Sequence, residues 1–143
     1  MLHQIETEGC MEFAAGIHDM TAADARLSLS AWADSGVRVF EVETGGATEK
    51  TAIIQAFASV VPTDPPTSGR SWDAFSDSLW EGVYRLEETR VAIVLRGECW
   101  VNQPHGDVRA ALDVLQDVVT LLEDEKATLG RPTSVCVLLL GEA

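Results

Sequence analysis

The chain has 143 residues, of which 46% are hydrophobic, so it is long enough for one domain with its own hydrophobic core. It has 23 acidic and 10 basic side chains, which gives a formal charge of −13. This excess argues against proteins that bind nucleic acid or anionic membranes, because both need a positive surface. An acidic surface of this kind suits a basic protein partner.

The first part of the chain differs in pattern from the rest. Residues 21–33 have the composition of a helix that Gly36 ends, whereas residues 1–20 show weak periodicity. We therefore predict a partly helical N-terminal appendage over residues 1–36, followed by a separate domain over residues 37–143. The first residues lack a basic patch followed by an apolar run, so we expect no secretory signal there.

Three apolar segments have the composition of buried strands: residues 37–42, 91–95 and 135–140. Helical patterns separate them, and we expect Thr48 to cap the first of these helices and Asp107 to cap the last. Strands joined by helices form parallel sheets with right-handed crossovers. The sequence thus predicts an α/β fold, a three-stranded parallel β-sheet flanked by helices, with an extra N-terminal segment. No apolar run is long enough to span a membrane.

The cysteines Cys10, Cys99 and Cys136 are far apart and form no Cys-x-x-Cys pair. They also lack metal-ligand spacing with the histidines. Disulfides are rare in the cytoplasm, where thiols are kept reduced. The pattern therefore predicts a cytoplasmic protein with reduced cysteines and without a metal site.

Residues 44–51 follow a strand and open a helix, as a phosphate-binding loop does. Such a loop has glycine directly before its Lys-Thr pair, but Glu49 occupies that position and its carboxylate would repel a phosphate. The sequence also lacks the serine elbow, the zinc-protease motif and the dinucleotide-binding motif. We therefore predict no catalytic site and no cofactor, and a small α/β enzyme or nucleotide binder is the less favoured alternative.

The segment that begins at Ser71 predicts a helix with two different faces. Ser71 is a suitable N-cap, and Gly82 is a candidate for an early end of the helix. At helical spacing an apolar stripe would face the core: Trp72, Phe75, Leu79, Val83 and Leu86. A second stripe, which need not be buried, holds two carboxylates and two aromatic rings: Asp73, Asp77, Trp80 and Tyr84.

The order of residues in this segment resembles that of the barstar family of ribonuclease inhibitors. The resemblance rests on a glycine, an Asp-Ala step, a second aspartate and a leucine at set spacings: Gly69, Asp73, Ala74, Asp77 and Leu79. The predicted strands and helices on either side follow the same order, so the resemblance covers roughly residues 37–141. Residues 1–36 lie outside it.

The resemblance implies an inhibitor that blocks the active site of a small basic secreted ribonuclease with an acidic helix and the loop before it. It makes Asp77 the central acidic contact, placed where substrate phosphate would lie, and Asp73 a second one. The preceding loop, Thr67-Ser68-Gly69, would contact the enzyme as well. The best-known family member has aromatic residues at the positions of Thr67, Ser68 and Ser76, and Trp80 is a candidate replacement anchor.

Two readings of function within this family stay open at the level of sequence. The first is a cytoplasmic inhibitor, monomeric when free, of a barnase-like or related basic ribonuclease. The second is a barstar-like interaction domain that has changed its protein partner, since the aromatic residues at three contact positions are absent. Neither reading involves nucleic acid, a membrane or a cofactor.

Overall fold

A computed structural model describes residues 10–67 and 69–141 of the chain. Its sheet has four parallel strands in the order β1-β4-β3-β2: β1 Gly16–Met20, β2 Arg38–Glu43, β3 Arg90–Arg96 and β4 Ser134–Leu140. Five helices connect them: α1 Ala22–Asp34, α2 Lys50–Ala58, α3 Trp72–Tyr84, α4 Glu98–Val101 and α5 Gly106–Glu123. The predicted α/β class and the parallel sheet flanked by helices are confirmed.

The sheet has four strands rather than the predicted three. The additional strand, β1, pairs with β4 from Gly16–Cys136 to Met20–Leu140 and forms one edge of the sheet. Its residues are half-buried or exposed, and it includes His18 and Asp19. Because an edge strand this short and polar has no continuous apolar run, its periodicity resembles that of a loop.

The first face of the sheet packs against α2, α3 and α5. Alternate strand residues such as Ile93 and Val137 join Phe57, Phe75 and Leu115 in one buried cluster. Side chains alternate between the two faces of a strand, so each central strand contributes half of its residues to this core. Helix α3 is held in this layer and turns its opposite side toward solvent.

The second face of the sheet is covered by α1 and the residues before β1. Trp32 of α1 is buried, and its indole Nε1 donates a hydrogen bond of 2.9 Å to the carbonyl of Met11. The amide of Met11 donates to the Oγ of buried Ser28 at 2.8 Å. Residues 10–36 therefore complete a second small core, although the division of the chain at residue 36 stays a prediction.

Gly82 lies inside α3 and does not end it, contrary to the sequence-based expectation. A Cβ at this position would overlap the carbonyl of Pro62 and would lie 2.8 Å from the Cα of Thr63. The glycine thus allows the chain after α2 to cross the helix in direct contact. The amide of Asp64 in the same stretch donates to the carbonyl of Ser78 at 2.9 Å.

Asp107 caps a different helix from the one predicted. It lies in the first turn of α5, whose N-cap residue is His105. Its Oδ2 accepts a hydrogen bond of 2.8 Å from the amide of Lys50, the first residue of α2. Thr48 is likewise not the N-cap of α2, because Glu49 holds that position without a side-chain bond. Asp107 therefore joins the starts of two helices. Within the described residues, no helix is long and apolar enough to cross a membrane.

Candidate protein-binding site

Helix α3 begins where the sequence predicts it. Ser71 is the N-cap residue, and its Oγ accepts a hydrogen bond of 3.2 Å from the amide of Ala74. Asp73 lies in the first turn, where a negative charge interacts favourably with the helix dipole. The side chains of Phe75 and Leu79 are fully buried and fix the rotation of the helix about its axis.

Asp73 and Asp77 are both exposed, as their spacing on the second stripe predicts. They are four residues apart, so they lie one above the other on the same face of α3. Neither carboxylate forms an ion pair with any residue in the described ranges. Two adjacent negative charges are therefore available to bind a cationic group from outside the chain.

Two other carboxylates near α3, those of Asp64 and Glu81, share one cation. Arg85 Nε lies 2.8 Å from Glu81 Oε2 and 2.9 Å from Asp64 Oδ2. The hydrogen bond to Glu81, together with the charges of both acids, raises the pKa of Arg85 above its ordinary value. Of the three acidic residues of α3, Asp73 and Asp77 in its N-terminal half are thus the two without a counter-charge among the described residues.

The loop before α3 is fixed by backbone contacts at Gly69. This glycine has a φ of +85°, and its carbonyl accepts a hydrogen bond of 3.2 Å from Thr51 Oγ1. Its amide donates to Thr67 Oγ1 at 3.4 Å. Gly69 is buried and positions the loop, whereas Thr67 is half-buried. Ser68, the third predicted contact of this loop, lies outside the described residues.

The two remaining predicted contacts, Ser76 and Trp80, are half-buried. The ring of Trp80 stacks on Tyr84, with centroids 4.8 Å apart and planes 18° apart, and it packs on the first-face core. Its Nε1 is buried and has no hydrogen-bond partner among the residues that the structure describes. The structure therefore brings Asp73, Ser76, Asp77 and Trp80 onto one helix, with Trp80 partly committed to the core.

One feature near this helix has no counterpart in the sequence-based prediction. The Tyr84 hydroxyl donates a hydrogen bond of 2.8 Å to the carbonyl of Thr128, 44 residues away. The Arg131 guanidinium lies 4.1 Å from the centroid of the Tyr84 ring, and its Nη1 donates to the Tyr84 carbonyl at 3.1 Å. These contacts hold the loop after α5 against the C-terminal end of α3.

Two cavities that no residue of α3 lines contain Cys99, and the smaller one, of about 230 Å³, also contains His105 and Asp107, whose Oδ2 is bound to the Lys50 amide. A cavity of about 520 Å³ at the carboxyl ends of β2 and β3 is lined by Glu43, Arg96, Glu98 and Cys99, among others. Burial raises the pKa of the Cys99 thiol, which disfavours the nucleophilic thiolate. Within the described part of the chain, no three potential metal ligands come together. The exposed carboxylates of α3 are thus the clearest candidate site.

The comparison with protein families identifies one match. The family model for Barstar (barnase inhibitor) matches residues 37–130, which is more than half of the chain. Comparisons with curated proteins and with solved structures gave no match. The matched range runs from β2 through α5 and includes α3 with its preceding loop, in agreement with the resemblance in the sequence. The chain belongs to the barstar family.

Proposed function

We propose that the protein inhibits a small basic ribonuclease, and that α3 and the loop before it form its inhibitory surface. The observation that supports this proposal best is the pair of exposed carboxylates, Asp73 and Asp77, that have no counter-charge among the described residues. The pair lies within the range that the barstar family model matches.

The chemistry of a ribonuclease active site explains why carboxylates would block it. Such a site binds phosphate with arginine, lysine and histidine side chains. A carboxylate accepts paired hydrogen bonds from arginine in a geometry similar to that of a phosphate. Asp77 would take the central phosphate position, and Asp73, one helical turn away, would bind a second cation of the same site.

Other features of the chain would raise the association rate and position the contacts with the enzyme. A formal charge of −13 attracts a basic enzyme over long distances and raises the association rate. Gly69 fixes the loop, so that Thr67 and Ser68 can contact the enzyme, and Ser76 and Trp80 would contact it along the helix. In this function the protein is a cytoplasmic monomer that occupies the active site of the enzyme. It catalyses no reaction and needs no cofactor.

A titration against ribonucleases tests this proposal. The protein is added to a panel of small basic microbial ribonucleases, and RNA cleavage is followed. We expect at least one enzyme to lose its activity at a one-to-one ratio. The double variant Asp73→Asn/Asp77→Asn should inhibit that enzyme far less.

The matched control is Asp19→Asn/Asp34→Asn, which changes the net charge equally at two exposed positions outside the family match. It should inhibit nearly as well as the parent protein. Full activity of every enzyme in the panel would contradict the proposal. That outcome would favour a barstar-like domain with another protein partner, a candidate that the lack of aromatic residues at Thr67 and Ser76 also supports.

A further inference from the structure

The loop between α5 and β4 is rigidly built and attached to α3. Asp124 Oδ2 accepts a hydrogen bond of 2.7 Å from the amide of Ala127, and the amide of Gly130 donates to the carbonyl of Glu125 at 2.8 Å. Thr128 is fully buried, and its Oγ1 donates to the carbonyl of Asp124 at 2.7 Å. Because Thr128 is also bound to Tyr84, the position of the loop tip is fixed relative to α3.

Leu129 lies at this tip, and both its exposed side chain and its backbone conformation are unfavourable. Its side chain is 87% exposed, the highest value among the large hydrophobic residues of the described ranges. Its φ is +55°, in the left-handed region that disfavours side chains other than those of glycine and asparagine. Burying the leucine would be favourable and glycine would remove the backbone strain, so neither feature helps the free protein to fold.

The loop continues the row of residues that holds the acidic pair. Positions 73, 77, 80 and 84 follow one another by about one helical turn on α3. Tyr84, the last of them, lies between the ring of Trp80 and the guanidinium of Arg131. Asp77 and Tyr84 are seven residues apart, about 10 Å along the helix axis. A standard interface covers about 800 Å² on each partner, which is wide enough to include both positions.

We propose that Leu129 is an apolar contact of the inhibitory surface and binds an apolar patch beside the active site of the basic ribonuclease. This inference rests on the proposed function. Exposed Glu125 and Lys126 lie on the same loop, and exposed Glu123 ends α5 just before it, so the apolar tip has charged neighbours. This composition matches an interface with an apolar centre and a polar rim, and the net charge of −13 of the whole chain suits a basic protein. Leu129 would supply the apolar contact that Thr67 and Ser76 do not.

The test compares two exposed leucines against the enzyme of the ribonuclease panel that the parent protein inhibits most strongly. Leu129→Asn removes the apolar side chain and keeps a residue that tolerates the left-handed backbone. Leu27→Asn is the control, because Leu27 is 53% exposed on α1, which covers the other face of the sheet. We expect the Kd to rise about tenfold or more for Leu129→Asn and less than about threefold for Leu27→Asn.

Two further measurements separate binding from folding and this inference from the proposed function. Leu129→Met should bind like the parent, and the thermal midpoint of free Leu129→Asn should stay level or rise. If Leu129→Asn binds like the parent while Asp77→Ala binds weakly, the role of Leu129 is refuted and the inhibitory helix stands. If both bind like the parent, or if no enzyme of the panel is inhibited, the proposed function fails and the role of Leu129 fails with it.

Discussion

Replacement of Asp77 by alanine should affect binding and folding in opposite directions. In the complex, the carboxylate would face cations of the enzyme that lose water when the site closes. Removing it leaves these cations buried without a partner, which costs about 2–5 kcal/mol. The Kd should therefore rise about 30-fold to about 4,000-fold, mainly through faster dissociation.

The free protein should tolerate the same change or gain from it. Asp77 is exposed and forms no ion pair with a described residue, so its removal breaks no contact of the described structure. It lies one turn from Asp73, and like charges at this spacing oppose the helix by a few tenths of a kcal/mol. Alanine also has a higher helix propensity than aspartate. The free energy of unfolding should stay level or rise by up to about 1 kcal/mol.

Surface-bound ribonuclease with the inhibitor in solution gives both rate constants, and urea unfolding gives the stability. Asp34→Ala is a suitable control, since Asp34 is exposed at the end of α1 and lies outside the family match. Its dissociation rate should equal that of the parent. If the parent protein binds the ribonuclease and Asp77→Ala dissociates at the same rate as the parent, the assignment of α3 as the inhibitory surface is refuted.

Three further predictions concern the framework that holds α3. Asp107→Ala removes the acceptor of the Lys50 amide and should lower the free energy of unfolding, measured by urea denaturation, by about 1 kcal/mol. An unchanged free energy of unfolding would contradict the capping role. Gly82→Ala forces a Cβ against the carbonyl of Pro62 and should lower thermal stability by the equivalent of about 1–3 kcal/mol, which a calorimetric scan would show. Burial raises the pKa of Cys136 to about 11. The thiol therefore ionises at lower pH in the unfolded chain than in the folded one, and the free energy of unfolding should fall between about pH 9 and pH 11 more steeply than in Cys136→Ala. The same pH dependence in both proteins would exclude this linkage.

The central part of the fold follows from the sequence because burial on both faces leaves a clear pattern. Strands β3 and β4 are covered on both faces and consist of continuous apolar runs that periodicity analysis detects. Among the described strands, β1 lies at one edge of the sheet, and it has polar residues at His18 and Asp19, so no such run marks it. The N-cap and the exposed carboxylates of α3 were likewise predictable, since both depend on neighbours within one turn.

Features that depend on contacts distant in sequence could not be predicted. Gly82 has the local signature of a helix end, and only the approach of Pro62 explains it as a packing residue. Asp107 has the signature of a cap for its own helix, but its acceptor atom bonds an amide 57 residues away. The bond between Tyr84 and Thr128 also spans distant segments and has no sequence motif. In each case a tertiary contact determines the role of the residue.

Some carboxylates of the chain are paired with an arginine, whereas Asp73 and Asp77 are not paired with any described residue. Asp64 and Glu81 are bound to Arg85, and Glu41 and Asp113 are each paired with an arginine, so these groups add to the long-range field but are not free to bind a partner's cation directly. Long-range attraction by the net charge acts on the association rate and weakens with salt. In the proposed complex, short-range bonds from Asp73 and Asp77 would act on the dissociation rate, and salt would screen these bonds less once the site is closed. If the proposed function is correct, selectivity for a basic enzyme should therefore persist under salt conditions that slow the encounter, because the bonds from Asp73 and Asp77 would form at short range within the closed interface.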